Sequence, residues 1–368
     1  MRIAAFGFRS IPPQNGSAGA EKFATELYPR LVEMGFNVTA YNRVYGNGRF
    51  KKTSEYSGVK IVNIKTVNKS GFDSLIHSFK ATIDIIIKNN ANIVHIHNGG
   101  NSIFSIILRL FGKKVFISQD GVDWKREKWP WYAKLYLYIS SFITAFFPNS
   151  VIFDNVFSKE FFEKRYKKKY DFIPYGSEIT FQENDEAILQ KIGLTKGEYF
   201  LFVGRFIPDK GLQYLIPAFE KLKTDKKLVI VGGSPNPSEF EINLKKTKDQ
   251  RIIFPGFIYG NDTSILMKNC YAYIQPSDVE GLSPVILTVM GLGVPLICSN
   301  IEENLFVVKD DALTFIQSSV EDLKNKLQYS LDNFDLIYEL AQKGKIRINR
   351  DYSWDSIAKQ HKEIFLRK

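Results

Sequence analysis

The sequence is poor in the residues that cross-link small proteins or hold metal ions. It has two cysteines in 368 residues, Cys270 and Cys298, with no spacing that suggests a disulfide framework, and this scarcity fits a reducing compartment. Its four histidines, at positions 77, 95, 97 and 361, lack zinc-ligand spacing, and the sequence contains no Asp-x-Asp pair to hold a metal-bound diphosphate. We therefore expect no metal and no cofactor in its chemistry.

Signals for secretion and membrane insertion are also missing. The N-terminal MRIAAFGF leads directly into a strand-like segment, without the charged start, apolar stretch and cleavage site of a signal peptide. The most membrane-like stretch, residues 131–147, contains Lys134 and several Ser and Thr, and it is shorter than the ~20 apolar residues of a spanning helix. We expect a cytoplasmic protein in which this stretch is a buried or surface-lying helix.

Two nucleotide-binding signatures are absent as well. No G-x-G-x-x-G follows the first predicted strand, and G-x-x-x-x-G-K-[ST] occurs nowhere. Both absences weaken a dehydrogenase or P-loop interpretation.

The residues that are present indicate a folded protein of two domains. With 44% hydrophobic and 14% aromatic residues, disordered and fibrous architectures are excluded. The length exceeds the ~250–300 residues at which single cores stop growing.

The chain is basic, with 50 Lys+Arg against 39 Asp+Glu, so that 50 − 39 gives a net charge of +11. The run KRYKKKY at 164–170 invites a nucleic-acid interpretation. No known nucleic-acid module is present in the sequence, however, and such a run is usually a solvated face. Together with the aromatic segment at 124–147, it fits better with docking on an anionic membrane surface, and no nucleic-acid partner is expected.

Hydrophobic periodicity predicts strands that alternate with helices in two successive series. Predicted strands lie at 2–8, 37–43, 59–65, 92–98, 114–120, 199–204, 227–233, 251–256, 271–277 and 294–299, and predicted helices include 20–35, 74–89, 102–111, 212–222 and 262–269. The fold class is therefore α/β, with two doubly wound Rossmann-like domains at 1–173 and 174–350 and a C-terminal helix at 351–368 that packs on the N-terminal domain. Ligands would bind beyond the carboxyl ends of the strands, in a cleft between two facing sheets.

Four loops after predicted strands are candidates for ligand binding. The loop 15–19 contains Gly16, whose backbone could approach an anion at a helix start, although an ordinary flexible turn explains it equally well. The loop 203–211 carries Arg205 and Lys210 five residues apart, and these cations could clamp a diphosphate. Surface salt bridging is the usual alternative, but the position at the end of a buried strand favours a functional role.

The other two loops carry acidic residues. In the loop 275–284, Ser283 resembles a helix N-cap before Pro284, and Glu280 could accept hydrogen bonds from sugar hydroxyls or could stabilise the helix electrostatically. In the loop 119–129, Asp120 precedes a glycine directly after a strand. It could contact the acceptor or a sugar, or simply form an Asp-Gly turn.

Together, these loops resemble the retaining nucleotide-sugar glycosyltransferases of family 4, which have the GT-B fold of two facing Rossmann-like domains. The resemblance covers essentially the whole chain, and its more specific motifs are VGR at 203–205 with DKG at 209–211, PS at 276–277 with EG at 280–281, and GLGVP at 291–295. The segments RSIPPQNGSAGAEKFATEL and DGVDWKREKW look most like bacterial capsule and O-antigen enzymes, including rhamnosyltransferases.

This resemblance implies a metal-independent hexosyltransferase. It would move a sugar, with retention, from a UDP-, GDP- or dTDP-linked donor to a hydroxyl of a lipid-linked saccharide in cell-surface polysaccharide assembly. It would work in the cytoplasm and at the inner face of the plasma membrane. The donor is a substrate and not a cofactor.

The resemblance also assigns roles to individual residues. The implied catalytic residues are Arg205 and Lys210 on the donor diphosphate, Glu280 on the transferred sugar, and Asp120. The implied donor-binding residues are Gly16, Gly204, Phe257, Ile258, Gly281, Leu282, Ser283 and Thr288. The predicted acceptor-side residues are His97, Asn98 and Trp124.

One position departs from the family pattern. A second Glu usually follows the first by eight residues and holds the donor ribose, whereas this chain has Thr288 there. Threonine offers one hydroxyl, which can instead bond the carbonyl of Pro284 one turn back. A nucleotide-sugar epimerase on the same fold and a catalytically silent partner subunit therefore remain alternatives.

Overall fold

A computed structural model describes residues 1–13, 19–46, 53–68, 71–125, 129–177, 187–233, 238–280 and 282–367. The strands are β1 Arg2–Phe6, β2 Asn37–Tyr45, β3 Glu55–Tyr56, β4 Val59–Thr66, β5 Ile93–His97, β6 Lys114–Gln119, β7 Ser150–Phe153, β8 Asp171–Phe172, β9 Tyr199–Gly204, β10 Lys227–Gly232, β11 Ile252–Gly256, β12 Ala272–Gln275, β13 Leu296–Ser299 and β14 Leu313–Phe315. The helices are α1 Gly19–Glu33, α2 Phe72–Lys88, α3 Ile103–Leu110, α4 Trp131–Phe146, α5 Val156–Tyr166, α6 Ala187–Ile192, α7 Leu212–Glu220, α8 Glu239–Leu244, α9 Asn261–Asn269, α10 Pro284–Leu292, α11 Glu302–Val308, α12 Val320–Asp332, α13 Phe334–Asp351 and α14 Trp354–Leu366.

The chain divides into two compact units, one of Met1–Tyr175 with Trp354–Lys368 and one of Gly176–Ser353. Each unit is built on one sheet. The first has the strand order β3-β4-β2-β1-β5-β6-β7-β8, and the second has β11-β10-β9-β12-β13-β14. All pairs are parallel except β3 with β4, which confirms the predicted α/β class with two Rossmann-like sheets.

Both faces of the first sheet are covered because its strands alternate side chains between them. Ile3 and Ala5 of β1 lie in the core formed with α1 and α14. Ala4 and Phe6 point the other way, into the core with α2 and α3. These buried strands read as continuous apolar runs, as parallel strands covered on both faces do.

The second sheet has the strand order of a nucleotide-binding Rossmann fold. If its six strands are numbered in chain order, they lie in the sheet, from one edge to the other, in the order three-two-one-four-five-six. Chain order therefore reverses between β9 and β12, and the loops that follow these two strands flank the reversal point.

Helix α4 is amphipathic with its large apolar side chains turned outward. Its buried residues are mostly small or polar and include Ser140, Ser141 and Thr144. One stripe of exposed residues recurs at helical spacing and consists of Trp131, Leu135, Ile139, Phe142 and Phe146, and Tyr132 and Tyr138 are exposed as well. Within the described ranges, no helix is both long and apolar enough to cross a bilayer.

Candidate active site

The loops after β9 and β12 meet at the carboxyl edge of the second sheet. The first carries Arg205 and Lys210, and the second carries Glu280. The two loops are joined directly, since the backbone N–H of Asp278 donates to the carbonyl of Asp209 at 2.9 Å. The strand order alone makes this position the expected ligand site of the sheet.

Glu280 is fixed by three donors. Lys210 Nζ lies 2.6 Å from Oε1 of Glu280, Gln275 Nε2 donates to the same oxygen at 2.5 Å, and Ser277 Oγ donates to it at 2.7 Å. The Glu280 side chain is 8% exposed. Because all three bonds end on Oε1, and none reaches Oε2 within the described residues, Oε2 can accept a hydrogen bond from a bound hydroxyl.

A second layer of hydrogen bonds holds the loop after β12. Ser299 Oγ donates to the Ser277 carbonyl at 2.5 Å, and Asn304 Nδ2 donates to Ser299 Oγ at 3.0 Å. Tyr214 OH donates to a carboxylate oxygen of Asp278 at 2.9 Å. These supporting residues belong to no motif in the sequence, although Ser299 ends a buried strand, where a polar side chain is a usable signal.

Gly211 has no room for a side chain. Its φ is +73°, and a Cβ there would lie 1.8 Å from the Pro276 carbonyl oxygen. Glycine is required here both by the left-handed backbone and by the close approach of the two loops. The spacing between Lys210 and Glu280 therefore depends on Gly211.

Arg205 follows the last residue of β9 and is exposed. Across the described part of the chain, its guanidinium has no hydrogen-bond or ion-pair partner. The two cations of this loop thus differ, since Lys210 is paired with Glu280 and Arg205 is available to an anionic ligand.

Ser283 and Pro284 begin helix α10 as predicted, with Ser283 at the N-cap and Pro284 in the first turn. The Ser283 side chain makes no capping hydrogen bond, so it leaves the free N–H groups of this helix start to other acceptors. Leu282 lies just before it, and Gly281 falls outside the described residues. Thr288 donates from Oγ1 to the Pro284 carbonyl at 2.9 Å, as the sequence suggested it can.

The loop after β11 contains Phe257 and Ile258. The exposed ring of Phe257 is stacked on Tyr259 with an interplanar angle of 6°. Beside it lies Glu241, buried, whose Oε1 is 2.7 Å from Lys245 Nζ and whose Oε2 has no partner in the described structure. Sequence reasoning missed Glu241, because a single acidic residue on the short helix α8 forms no motif.

The predicted residues of the first unit that the structure describes lie in three separate places. His97 is buried, and Tyr28 OH is 2.6 Å from its Nε2. Burial lowers the pKa of His97 to about 3, so the ring is neutral. His97 and Asp120 line a cavity of about 10 Å³ together with Asp154, Tyr175 and His361. These last three residues were not predicted from the sequence.

That cavity has room for about one water molecule. Asn98 and Trp124 do not line it. Asn98 faces a larger apolar cavity, and Trp124 packs edge-on against Tyr138, with their ring centroids 5.5 Å apart. Gly16 falls outside the described residues.

Comparison with protein families divides the chain at nearly the same place as the fold. Residues 184–347 match the family described as glycosyl transferases group 1. Residues 3–178 match a domain of unknown function, DUF1972. All of Arg205, Lys210, Glu280 and Thr288 lie in the first of these matches.

Individual relatives are distant. O-antigen chain mannosyltransferase B of Escherichia coli is 26% identical over 179 residues, 47% of this chain and 47% of that protein. The chain thus spans about half the length of this curated relative. An uncharacterized glycosyltransferase of Methanocaldococcus jannaschii is 23% identical over 355 residues, 92% of each chain.

Solved structures show the same fold over the whole chain. Sucrose-phosphate synthase from Thermosynechococcus elongatus has a TM-score of 0.81 at 18% identity, covering 99% of this chain and 98% of that one. Anabaena HepE in complex with UDP-glucose has a TM-score of 0.75 at 15% identity, covering 99% and 98%. Residues 184–347 therefore resemble the group 1 glycosyl transferases, residues 3–178 resemble the DUF1972 domain, and the chain as a whole shares its fold with these solved structures.

Proposed function

We propose that the protein is a retaining glycosyltransferase that moves a sugar from a nucleoside diphosphate sugar to a hydroxyl of a saccharide acceptor. The observation that carries the proposal is the Lys210–Glu280 pair at the reversal point of a region that matches the group 1 glycosyl transferases, with Arg205 on the loop of Lys210 and without a partner among the described residues. This arrangement offers cations for a diphosphate and a carboxylate for a sugar in one place.

The cations act on the leaving group. As the bond between the anomeric carbon and the diphosphate oxygen breaks, negative charge grows on the diphosphate. Arg205, Lys210 and the N–H groups at the start of α10 stabilise that charge more in the transition state than in the ground state. The Ser283 side chain leaves those N–H groups unoccupied.

The carboxylate acts on the transferred sugar. Three donors hold Oε1 of Glu280 in place, so Oε2 can accept from a sugar hydroxyl without moving. The acceptor oxygen bonds to the anomeric carbon on the face that the diphosphate leaves, and its proton passes to the departing phosphate. Asp120 is proposed to contact the acceptor.

The donor class is supported by relatedness. HepE, a neighbour in fold, was solved with UDP-glucose, and the O-antigen chain mannosyltransferase is a relative of this chain. A UDP-, GDP- or dTDP-linked sugar is therefore proposed as donor, and the assembly of a cell-surface polysaccharide is proposed as the process.

A membrane surface is proposed as the place of work, at the cytoplasmic face. The outward apolar face of α4 lies beside cations at the end of α5 and in the segment that follows it. Arg165 stacks over the Tyr138 ring at 5.0 Å, and Lys168 Nζ lies 5.9 Å from the centroid of Phe146. Aromatic rings flanked by exposed cations suit the boundary between lipid headgroups and acyl chains. A lipid-linked saccharide would then be the acceptor.

The first experiment is a donor screen by thermal unfolding. A nucleotide sugar present at ~100 times its dissociation constant adds about 2.7 kcal/mol of stability, so the true donor raises the melting temperature. The second uses Arg205→Ala with the donor so found. We expect turnover to fall at least ~100-fold, with an unchanged melting temperature in the absence of donor.

The matched control is Arg350→Ala, which removes an exposed arginine of the same unit that is paired with Asp351. Its turnover should equal that of the unmodified protein. Normal turnover in Arg205→Ala would refute the role of Arg205, and no response to any nucleotide sugar would refute the proposed donor class.

A further inference from the structure

The first unit contains an apolar cavity that the proposed sugar transfer does not use. It has a volume of about 520 Å³ and lies where α2, α4 and the turn after β5 meet. Its apolar walls include Phe72, Leu75, Pro130, Ala133 and Leu137. The volume is within the range of small-molecule sites.

Three polar side chains of its wall are hydrogen-bonded within the protein. Tyr136 OH donates to the Gly100 carbonyl at 2.6 Å, and Asn98 Oδ1 accepts from the Gly100 N–H at 2.9 Å. Asn101 Nδ2 donates to the His97 carbonyl at 3.0 Å. Its described lining residues carry no charged side chain. A saccharide would find few hydrogen-bonding partners among these three side chains, whereas an apolar group could bury its surface against the apolar walls without breaking their hydrogen bonds.

The surroundings point to a lipid as the source of that group. Trp131 is 77% exposed and Leu135 is 53% exposed on the first turns of α4, the helix that forms one wall. Phe72 in the opposite wall is 51% exposed. Lys134 lies next to Ala133 on α4, and the run of cations on α5 flanks the same helix. This apolar surface with cations at its border complements an anionic amphiphile.

We propose that this cavity holds part of the isoprenoid chain of a polyprenyl-phosphate-linked acceptor. The inference rests on the proposed function and adds to it the place where the lipid of the acceptor binds. An isoprenoid chain that packs among Leu75, Ala133 and Leu137 would hold the acceptor by its lipid. The protein would then need few contacts that depend on the length or sequence of the saccharide.

The test uses the full chain and a farnesyl phosphate with a terminal diazirine as probe. After irradiation, peptide mapping should place the label on residues 71–75 or 129–137. Farnesol should compete with the probe, and inorganic phosphate alone should not, because the chain and not the phosphate is held. Label spread over unrelated surfaces, or competition by phosphate alone, would overturn the proposal.

Two variants sharpen the result. Ala133→Phe fills the cavity and should reduce labelling at least about tenfold, since a packed site excludes the chain. Leu135→Phe makes a similar change two residues away, outside the cavity lining, and should label normally. If Ala133→Phe fails to fold, Leu75→Trp replaces it. Equal labelling of the filled and control variants would overturn the proposal.

The donor-induced rise in melting temperature is measured on the same proteins. A donor response without label in the cavity overturns the acceptor-lipid site and leaves sugar transfer standing. Label in the cavity without a donor response supports the lipid site and removes the proposed transfer.

Discussion

At the scale of single residues, Thr288 is the clearest departure from the pattern of the glycosyltransferases that this chain resembles. Its hydroxyl donates to the Pro284 carbonyl within the helix, which commits the donor proton and leaves only oxygen lone pairs for a ligand. A carboxylate at the same position could accept two hydroxyl hydrogen bonds.

We therefore expect Thr288→Glu to tighten donor binding. A hydrogen bond to a charged group is worth about 1.5–3 kcal/mol, or roughly one to two decades in the dissociation constant. Titration calorimetry with the donor found by thermal screening measures it. Thr288→Gln is the matched control, since it adds length without charge. Equal affinity of both variants would show that no ribose hydroxyl lies near this position.

At the scale of elements, Gly211 links the loops after β9 and β12. We expect Gly211→Ala to destabilise the protein and to reduce turnover, because a Cβ would meet the Pro276 carbonyl and displace Lys210. Gly193→Ala is the matched control, since Gly193 also has a positive φ, +68°, but open space around it.

Comparing the two variants separates the steric clash with Pro276 from the free-energy cost of placing alanine at a positive φ, because only Gly211 has both. Gly193→Ala should cost about 1 kcal/mol, and Gly211→Ala about 1–3 kcal/mol more. Urea unfolding of both variants measures the difference, and equal losses would contradict the tight packing of the two loops.

Strand β5 and helix α14 share a buried cluster of neutral histidines. Tyr28 OH is 2.9 Å from His95 Nδ1 and 2.6 Å from His97 Nε2, and His95 Nε2 is 2.8 Å from Ser118 Oγ. Burial lowers the pKa of His95 well below its usual range and lowers the pKa of His361 on α14 to about 4. All three rings must stay uncharged in the folded protein.

This cluster predicts a loss of stability in mild acid. The unfolded chain protonates these histidines near pH ~6.5 while the folded chain does not, so their contribution is complete above ~6.5 and falls as the pH drops toward about 4. The slope is roughly 1 kcal/mol per pH unit for each histidine. Urea unfolding at pH 7.5, 6 and 5 checks it.

His97→Gln should lower the free energy of unfolding at neutral pH. It should also reduce the slope of that free energy with pH by about the contribution of one histidine. An unchanged slope in His97→Gln would contradict the assignment of the acid sensitivity to this cluster.

At the scale of the whole molecule, the net charge of +11 and the apolar stripe of α4 predict binding to anionic vesicles that weakens with salt. Lys164→Gln with Lys168→Gln should reduce binding by about 2 kcal/mol, or roughly 30-fold, since each surface cation contributes about 1 kcal/mol. Sedimentation with phosphatidylserine vesicles at low and high salt measures both effects.

Lys191→Gln with Lys196→Gln makes the same change of charge on exposed lysines of the second unit, and it should leave binding intact. Equal losses in the two pairs, or binding insensitive to salt, would contradict docking through α4 and α5.

The sequence by itself determined the two Rossmann-like sheets, because buried parallel strands are continuous apolar runs that a residue pattern reveals. It also determined the start of α10, since Ser283 and Pro284 form a local signal. Short strands such as β7 and β8 were not predicted from the sequence, because segments of four and two residues show too little periodicity.

Only the tertiary structure decided which predicted residues contact one another. Lys210 meets Glu280 because the two loops approach closely at Gly211. Glu241 lies beside the loop of Phe257. His97 is buried, whereas the neighbouring Asn98 lines an apolar cavity. Such contacts link residues up to 70 positions apart, and they depend on strand order and loop packing, which no local pattern encodes.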